Sequence, residues 1–236
     1  SGVPEFFEFL KKLKFDQFKI DKLKYLTHAG GQLDKNIIKY FVNLAKKSRY
    51  KFYSMYGQTE ASPRMSYLEC TKNIKKIGSI GKPLKGSKFL LIDEKRKIIK
   101  KNFKVGEIVY RGKNVCLGYA NNIQDLHKGD TYKGNLFTGD IGYKDSQGYY
   151  YLTGRKNRIS KIFGLRFNLD DIEKKLKKNK FYTRLLPSNK YLKILIIENY
   201  KIDKIKNLIY NSYKINKNFI LINKVKKFPN KTLFKK

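Results

Sequence analysis

The sequence predicts a chain of mixed α/β and α+β class, and three observations lead to that prediction. Near the start, strand-like segments that run into glycines alternate with amphipathic helices, which is typical of an α/β layer. From about residue 77, short β-prone segments follow one another between glycine-rich turns and predict a small antiparallel, β-barrel-like subdomain. After Arg155, helices and strands alternate again, which predicts a small α+β domain at the C-terminal end.

The first part has two predicted helices and two predicted strands. Residues 4–14 and 34–48 carry apolar side chains at helical spacing, and Asp34 is a suitable cap for the second helix. Residues 23–27 form a short strand that runs into Ala29-Gly30-Gly31, and residues 52–56 form a second strand that runs into Gly57.

The later segments follow the same reasoning. Strands are predicted at 88–92, 107–111, 136–138, 149–153, 192–197 and 219–222, and helices at 169–178 and 202–213. The changes of rhythm predict three parts, 1–76 (the remainder of an α/β nucleotide-binding subdomain), 77–155 (β-rich) and 156–236 (a small mobile lid), with a hinge near residues 154–157.

Composition narrows the class of protein. The formal charge of +35 invites a nucleic-acid-binding interpretation, but the basic residues are spread along the chain and are almost all lysine, so this is the less favoured hypothesis. A basic surface would still attract an acidic partner. No apolar segment approaches the roughly 18 residues of a membrane span. The N-terminus does not resemble a secretion leader, and the two cysteines make no metal or redox spacing, so we expect a cytoplasmic protein.

Several polar residues follow the predicted strands and suit a bound nucleotide. Ligands bind at the carboxyl ends of strands in α/β sheets. Gly30 and Gly31 would let the backbone approach a flat base, and Tyr56 offers an aromatic face. Thr59 offers a hydroxyl to a phosphate, and Glu60 offers a carboxylate to Mg²⁺. Taken alone, Gly30-Gly31 is most often a turn and Tyr56 a half-buried core residue, and Thr59-Glu60 is equally well a helix start.

Two later residues extend this set. Asp140, in Thr138-Gly139-Asp140, could accept hydrogen bonds from ribose hydroxyls, and the Arg155 guanidinium could hold ribose or phosphate. Thr138-Gly139-Asp140 alone would be an ordinary turn, so the prediction depends on the joint occurrence of all these segments in one order.

With these segments in this order, the chain resembles the latter half of the adenylate-forming superfamily, which includes acyl-CoA and aryl-CoA ligases, firefly luciferase and amino-acid-activating domains. The stretches that carry the resemblance run nearly from end to end and are HAGGQL (28–33), MYGQTEASPRMSYL (55–68), GSIGKPLKG (78–86), GEIVYRGKNVCLGY (106–119), the segment 137–173 and, more weakly, FPNKTLFKK (228–236).

The resemblance implies roles at individual positions. Gly30, Gly31 and Gln32 would form the adenine-contacting turn, where Gln32 departs from the usual proline or alanine. Tyr56 and Gly57 would lie beside the adenine, Thr59 at the α-phosphate, Glu60 at Mg²⁺, and Asp140 and Arg155 at the ribose. Asn157 would lie at the hinge, although the family usually has Asp or Lys there. The loop that faces the thiol acceptor would contain Lys161, Gly164 and Arg166.

The catalytic lysine of the family has two candidates here. Lys231 fits the flanking pattern best and is preferred, whereas Lys235 fits a strict count from Pro229, with Phe234 in the place of the usual glycine. Together with Thr59 and Glu60, Lys231 completes the implied catalytic set.

One segment of the family pattern is missing from this sequence. The Ser/Thr/Gly-rich phosphate loop with a lysine, which precedes the YGQTE segment in the family, is absent, so we expect an N-terminally truncated piece that activates no acid efficiently on its own.

The implied activity is ATP-dependent activation of a fatty or amino acid as an acyl-adenylate, with Mg²⁺, followed by thioester transfer to CoA or to the phosphopantetheine of an acidic carrier protein. The alternative is a non-catalytic relative that keeps only a protein-docking surface.

Overall fold

The computed structural model describes residues 1–19, 21–162, 165–188 and 190–229. The chain forms two compact units, Ser1–Thr153 and Gly154–Lys236. Both mix helices and strands, which confirms the predicted fold class. Among the helices that the structure describes, none combines the length and the apolar character that a membrane crossing requires.

The first unit begins with an α/β layer. Its sheet has the strand order β1-β2-β3-β4, in which β1 and β2 are parallel and the other neighbours are antiparallel. The elements are α1 (Pro4–Lys12), β1 (Tyr25–His28), α2 (Lys35–Lys47), β2 (Lys51–Tyr56), β3 (Ser66–Glu69) and β4 (Lys82–Pro83).

Capping and left-handed residues set the helix ends. Asp34 caps α2 as predicted, since its side chain accepts a hydrogen bond from the N–H of Asn36 at 2.8 Å. Helix α1 ends at Lys12, two residues before the predicted end, and Lys14 just beyond it has a φ of 54° that no helix accommodates. Phe41 of α2 packs its ring against Phe52 of β2, with the centroids 5.8 Å apart.

The β-rich part of the first unit is a four-stranded sheet with the order β5-β6-β7-β8. Within the described residues it is an open antiparallel sheet rather than a closed barrel. Its strands are β5 (Lys88–Ile92), β6 (Gly106–Arg111), β7 (Asn135–Lys144) and β8 (Tyr150–Arg155). Strand β7 is far longer than the predicted 136–138. Its glycines and polar residues do not form a strand-like sequence pattern, and the strand is stabilised by its pairing with β6.

The second unit has its own apolar core. Its strands pair as β9 with β10, antiparallel, and in the order β11-β12-β13, where β12 and β13 are parallel. The elements are β9 (Ile159–Ile162), β10 (Leu165–Asn168), α3 (Leu169–Lys178), β11 (Thr183–Leu186), β12 (Leu192–Ile196), α4 (Ile202–Tyr213) and β13 (Ile220–Lys224).

A buried arginine joins several elements of this second unit. Arg158 donates from Nε to Asp170 Oδ1 at 2.8 Å and from Nη1 to the carbonyl of Leu185 at 2.5 Å. Its Nη2 lies 2.6 Å from Glu173 Oε1, so two carboxylates of α3, those of Asp170 and Glu173, neutralise its charge. Sequence reasoning did not single out Arg158, and these contacts assign it to the architecture of the unit.

Candidate functional site

The glycine turns after β1 and β2 lie at the same edge of the first sheet. The two strands run parallel, with His28 opposite Ser54, so both chains leave the sheet on the same side. Gly30 has a φ of +84°, a left-handed conformation that favours glycine, and both Gly30 and Gly31 are exposed. The backbone at this turn is therefore open to a flat ligand, and Gln32 follows it on the surface.

The loop after Gly57 folds tightly back on itself. A Cβ added to Gly57 would overlap the carbonyl oxygen of Pro63 and contact the backbone of Arg64. The N–H of Met65 donates to the carbonyl of Tyr56 at 3.0 Å and closes this loop. Thr59 begins the short 3₁₀ helix within the loop and is exposed there.

The centre of the site is a hydrogen-bonded cluster around Asp140. Asp140 is only 3% exposed, and its Oδ2 accepts from the hydroxyl of Tyr56 at 2.6 Å and from Nε2 of Gln58 at 3.0 Å. The same Gln58 nitrogen donates to the carbonyl of Thr138 at 2.9 Å. Segments that are more than 80 residues apart in the sequence are thereby joined at one carboxylate.

Gln58 is a site residue that sequence reasoning missed. Its position inside the YGQTE segment was the available signal, but nothing local indicates that its side chain crosses to β7. The Tyr56 ring, predicted to stack on a base, packs 6.0 Å from the Phe89 ring and is half-buried, and its hydroxyl belongs to the Asp140 cluster. Its stacking on adenine stays a prediction.

Glu60 lies in a second small cluster of the same loop. The hydroxyl of Tyr119 donates to Glu60 Oε1, and the N–H of Cys116 donates to the Glu60 carbonyl at 2.8 Å. The hydrogen bond to the carboxylate is the first cause of the raised pKa of Tyr119, which reaches about 12. Sequence reasoning also missed Tyr119, which comes from the segment after β6.

A half-buried amide holds the far end of this loop. Asn114 Nδ2 donates to the carbonyls of Ala61 and Arg64, at 2.5 and 2.9 Å, while its Oδ1 accepts from the hydroxyl of Tyr110 at 2.8 Å. The loop from Gly57 to Arg64 is therefore anchored at both ends, which fixes the backbone that carries Thr59 and Glu60.

The residues present suit a magnesium ion that is held jointly with phosphates. No group of three or more His, Cys, Asp or Glu side chains that could bind a metal occurs in the described ranges. Mg²⁺ in phosphate-transfer sites needs only one or two carboxylates plus substrate oxygens. The half-buried Glu60, with the exposed Thr59 next to it in the chain, is such a donor set.

The remaining predicted residues belong to the second unit or fall outside the description. Arg155 ends β8 and is exposed, and Asn157 is exposed in the short 3₁₀ helix Lys156–Arg158. Arg166 lies on β10, exposed, with Lys161 opposite it in the backbone register. The side chain of Lys161 and the whole of Gly164, Lys231 and Lys235 lie outside the described residues.

Comparisons with known proteins show the family to which the chain belongs. Residues 1–120 match the family described as AMP-binding enzyme. A 2-succinylbenzoate–CoA ligase of Bacillus cereus (strain ZK / E33L) is 33% identical over 137 residues, which cover 58% of this chain and 27% of that protein. A 4-hydroxybutyrate–CoA ligase of Metallosphaera sedula is 30% identical over 168 residues, covering 70% of this chain and 28% of that protein.

A solved structure shares the fold. The O-succinylbenzoate coenzyme A synthetase of Bacillus subtilis, in complex with ATP and magnesium ion, aligns with a TM-score of 0.70 and 18% identity over 97% of this chain and 48% of that one. The chain thus spans about half the length of that structure and just over a quarter of the curated relatives it matches. Since the family match covers half of the sequence, the chain belongs to the AMP-binding enzymes.

Proposed function

We propose that this chain carries the nucleotide-facing loops and the thiol-acceptor side of an ATP-dependent acid–thiol ligase of the cytoplasm. The reaction would join a small carboxylic acid to AMP with release of pyrophosphate, and then transfer the acyl group to a thiol. The acid would be a fatty acid or an amino acid.

The cluster around Asp140 is the observation that carries this proposal. A carboxylate that is 3% exposed and held by Tyr56 and Gln58 is fixed in place before any ligand arrives. Preorganised carboxylates are the usual acceptors for the two ribose hydroxyls of a bound nucleotide. The cluster joins the YGQTE segment to the TGD segment, as a single nucleotide would require.

The other residues take roles along the nucleotide. The open turn at Gly30 and Gly31 would receive the adenine, and Thr59 would bind the α-phosphate. Glu60 would hold Mg²⁺, which neutralises triphosphate charge when bound. Arg155 would assist at the ribose, and Lys231 would place its ammonium at the charge that develops on the α-phosphate.

The second half-reaction would use the second unit. Asn157 lies near the start of the second unit, in the short 3₁₀ helix Lys156–Arg158, and a hinge there would allow one site to serve both steps. Lys161, Gly164 and Arg166 would then face the thiol. We favour CoA as the acceptor because the matched curated relatives are named as CoA ligases, and a carrier protein stays the alternative.

We also propose the division into residues 1–76, 77–155 and 156–236. Apolar clusters centred on the three parts support it, one around Phe41 and Phe52, one around Phe89 and Tyr110 that also includes buried residues of 1–76, and one around Leu185.

Calorimetric titration of the chain with AMP tests the proposal. We expect Asp140→Ala to weaken AMP binding by roughly 10- to 100-fold, because a hydrogen bond to a charged group contributes about 1.5–3 kcal/mol. Asp130→Ala is a matched control, since it removes an exposed carboxylate that caps a turn at Lys133. Equal AMP affinity in both variants would remove the basis for a ribose site.

A second assay tests the chemistry. The chain is joined to the upstream region of the Bacillus cereus relative, and acid-dependent exchange of pyrophosphate into ATP is measured across a panel of carboxylic acids. Loss of pyrophosphate exchange in Lys231→Ala and in Glu60→Ala supports the reaction. Pyrophosphate exchange that neither substitution changes contradicts it. Binding of a carrier protein without any binding of AMP would favour the non-catalytic alternative.

A further inference from the structure

A basic site, in addition to the candidate nucleotide site, lies in the first unit around the turn between β7 and β8. It is an open groove of about 620 Å³. We call it the lysine groove and define it by six of its lining residues, which are Lys72, Asn73, Lys75, Lys76, Lys82 and Tyr149. The volume falls within the range of small-molecule sites.

Hydrogen bonds hold the walls of the lysine groove in place. The ammonium of Lys76 lies 2.6 Å from Asp145 Oδ2, and Asp145, only 5% exposed, also accepts from the backbone N–H groups of Gln147 and Tyr149 at 2.9 Å. The hydroxyl of Tyr149 donates to Asn73 Oδ1 at 3.0 Å. The aromatic ring and one lysine are therefore positioned in advance of any ligand.

The ammonium groups of two lysines lie over the same aromatic ring. Nζ of Lys82 lies 4.7 Å and Nζ of Lys76 lies 5.1 Å from the centroid of the Tyr149 ring. The two cations are therefore no more than about 10 Å apart, a separation that a single chain of linked phosphates can bridge.

The positive charge of the groove exceeds its negative charge. Asp145 neutralises Lys76, and Glu69 lies 3.6 Å from Lys72. Lys75 and Lys82 are exposed, and neither has a carboxylate partner among the residues that the structure describes. Cations fixed around a concave surface attract multivalent anions more strongly than freely solvated ones do.

The lysine groove is separate from the Asp140 cluster. Asp145 directly follows the end of β7 and comes five residues after Asp140, a distance of roughly 16 Å at about 3.3 Å per residue of strand. None of the residues that define the groove takes part in the hydrogen bonds of Asp140 described above.

We propose that the lysine groove binds an oligophosphate anion, either free pyrophosphate or triphosphate or the phosphate tail of a nucleotide. A second depression of about 480 Å³ is lined by Lys88, Arg111, Lys113 and Lys133, without an aromatic ring or carboxylate among its described lining residues. It carries as many cations but lacks the fixed ring, so it serves as the matched control.

The test is calorimetric titration of the chain with inorganic pyrophosphate at constant ionic strength, with orthophosphate and ATP as further probes. We expect pyrophosphate to bind at least 10-fold more tightly than orthophosphate. The double variant Lys75→Gln/Lys82→Gln should weaken pyrophosphate binding about 10-fold or more, while Lys113→Gln/Lys133→Gln, which removes the same charge, should change it less than 2-fold. If Lys75→Gln/Lys82→Gln weakens ATP binding as much as pyrophosphate binding, the groove also binds the phosphate tail of a nucleotide. If ATP binding is unchanged in this variant, the groove binds only the free anion.

Three outcomes would overturn the proposal. They are the absence of pyrophosphate binding to the parent chain, equal weakening in both double variants, and loss of pyrophosphate binding in Asp140→Ala. The last result would assign the anion to the nucleotide site, whereas retained pyrophosphate binding with lost AMP binding would separate the two sites. Circular dichroism of each variant confirms that it is folded.

Discussion

Replacement of Gly57 by alanine is the sharpest perturbation of the candidate nucleotide site. The added methyl group would overlap the carbonyl of Pro63 and contact the backbone of Arg64. Backbone atoms cannot rotate away as a side chain does, so the loop that carries Thr59 and Glu60 has to shift.

The cost follows from two contributions. Overpacking typically costs about 1–3 kcal/mol, and a shift of the loop also weakens the 3.0 Å hydrogen bond between Met65 and Tyr56, for about 1 kcal/mol more. We expect a destabilisation of about 2–4 kcal/mol, or roughly 4–15 °C in the melting temperature of the first unit.

Hydrogen–deuterium exchange and AMP titration measure this effect. Peptides that cover residues 52–69 should exchange faster in Gly57→Ala, and AMP should bind at least 10-fold more weakly. Gly86→Ala is the control, because an added Cβ there meets no atom within 4 Å and only its φ of +81° opposes the change. Its cost should stay near the 1–2 kcal/mol of a left-handed residue. Equal stability, exchange and AMP affinity in the two variants would refute the reasoning.

Three further predictions concern titratable groups. Burial opposes ionisation of Asp145, but hydrogen bonds from Lys76 and from backbone N–H groups outweigh it, so the pKa of Asp145 is lowered below its usual 3.8. A lowered pKa contributes stability that is complete above about pH 4 and is lost as the pH falls further. Asp145→Asn should therefore lower the free energy of unfolding by about 2 kcal/mol at pH 7. In denaturant titrations, the difference in this free energy between the variant and the parent chain should shrink below pH 4. Tyr119→Phe removes the hydroxyl that competes for the Glu60 carboxylate, and we expect Mg²⁺-dependent ATP binding to tighten roughly 2- to 10-fold by calorimetry, whereas weaker binding would show that the hydroxyl positions the carboxylate. Burial raises the pKa of the Cys70 thiol to about 12, so thiol titration at pH 8 should count one reactive cysteine in the folded chain and two after unfolding; two in the folded chain would contradict the burial.

The mixed fold class and most of the helices and long strands were predictable from the sequence. Helix α2 begins at its predicted cap because apolar spacing and an Asp34 cap are local signals. The predicted strands 52–56 and 88–92 match β2 and β5 within one residue, since both are apolar segments bounded by turns.

The short strands were not predictable in the same way. β3 and β11 were missed because each has only four residues, SYLE and TRLL, in which polar and apolar residue types do not alternate. Such strands owe their stability to partners that lie elsewhere in the chain, as β3 does to β2 and β11 to β12.

The sequence by itself determined the family resemblance and the residue types at the site, because glycines, carboxylates and hydroxyls in a fixed order are chemical features that need no coordinates. Only the tertiary structure decided how those residues meet. It brought Gln58 and Tyr56 to Asp140, tied Tyr119 to Glu60, and gathered Lys76 and Lys82 around Tyr149. These contacts join segments up to 84 residues apart, and since side-chain direction over such separations follows from strand pairing and packing, no local pattern encodes them.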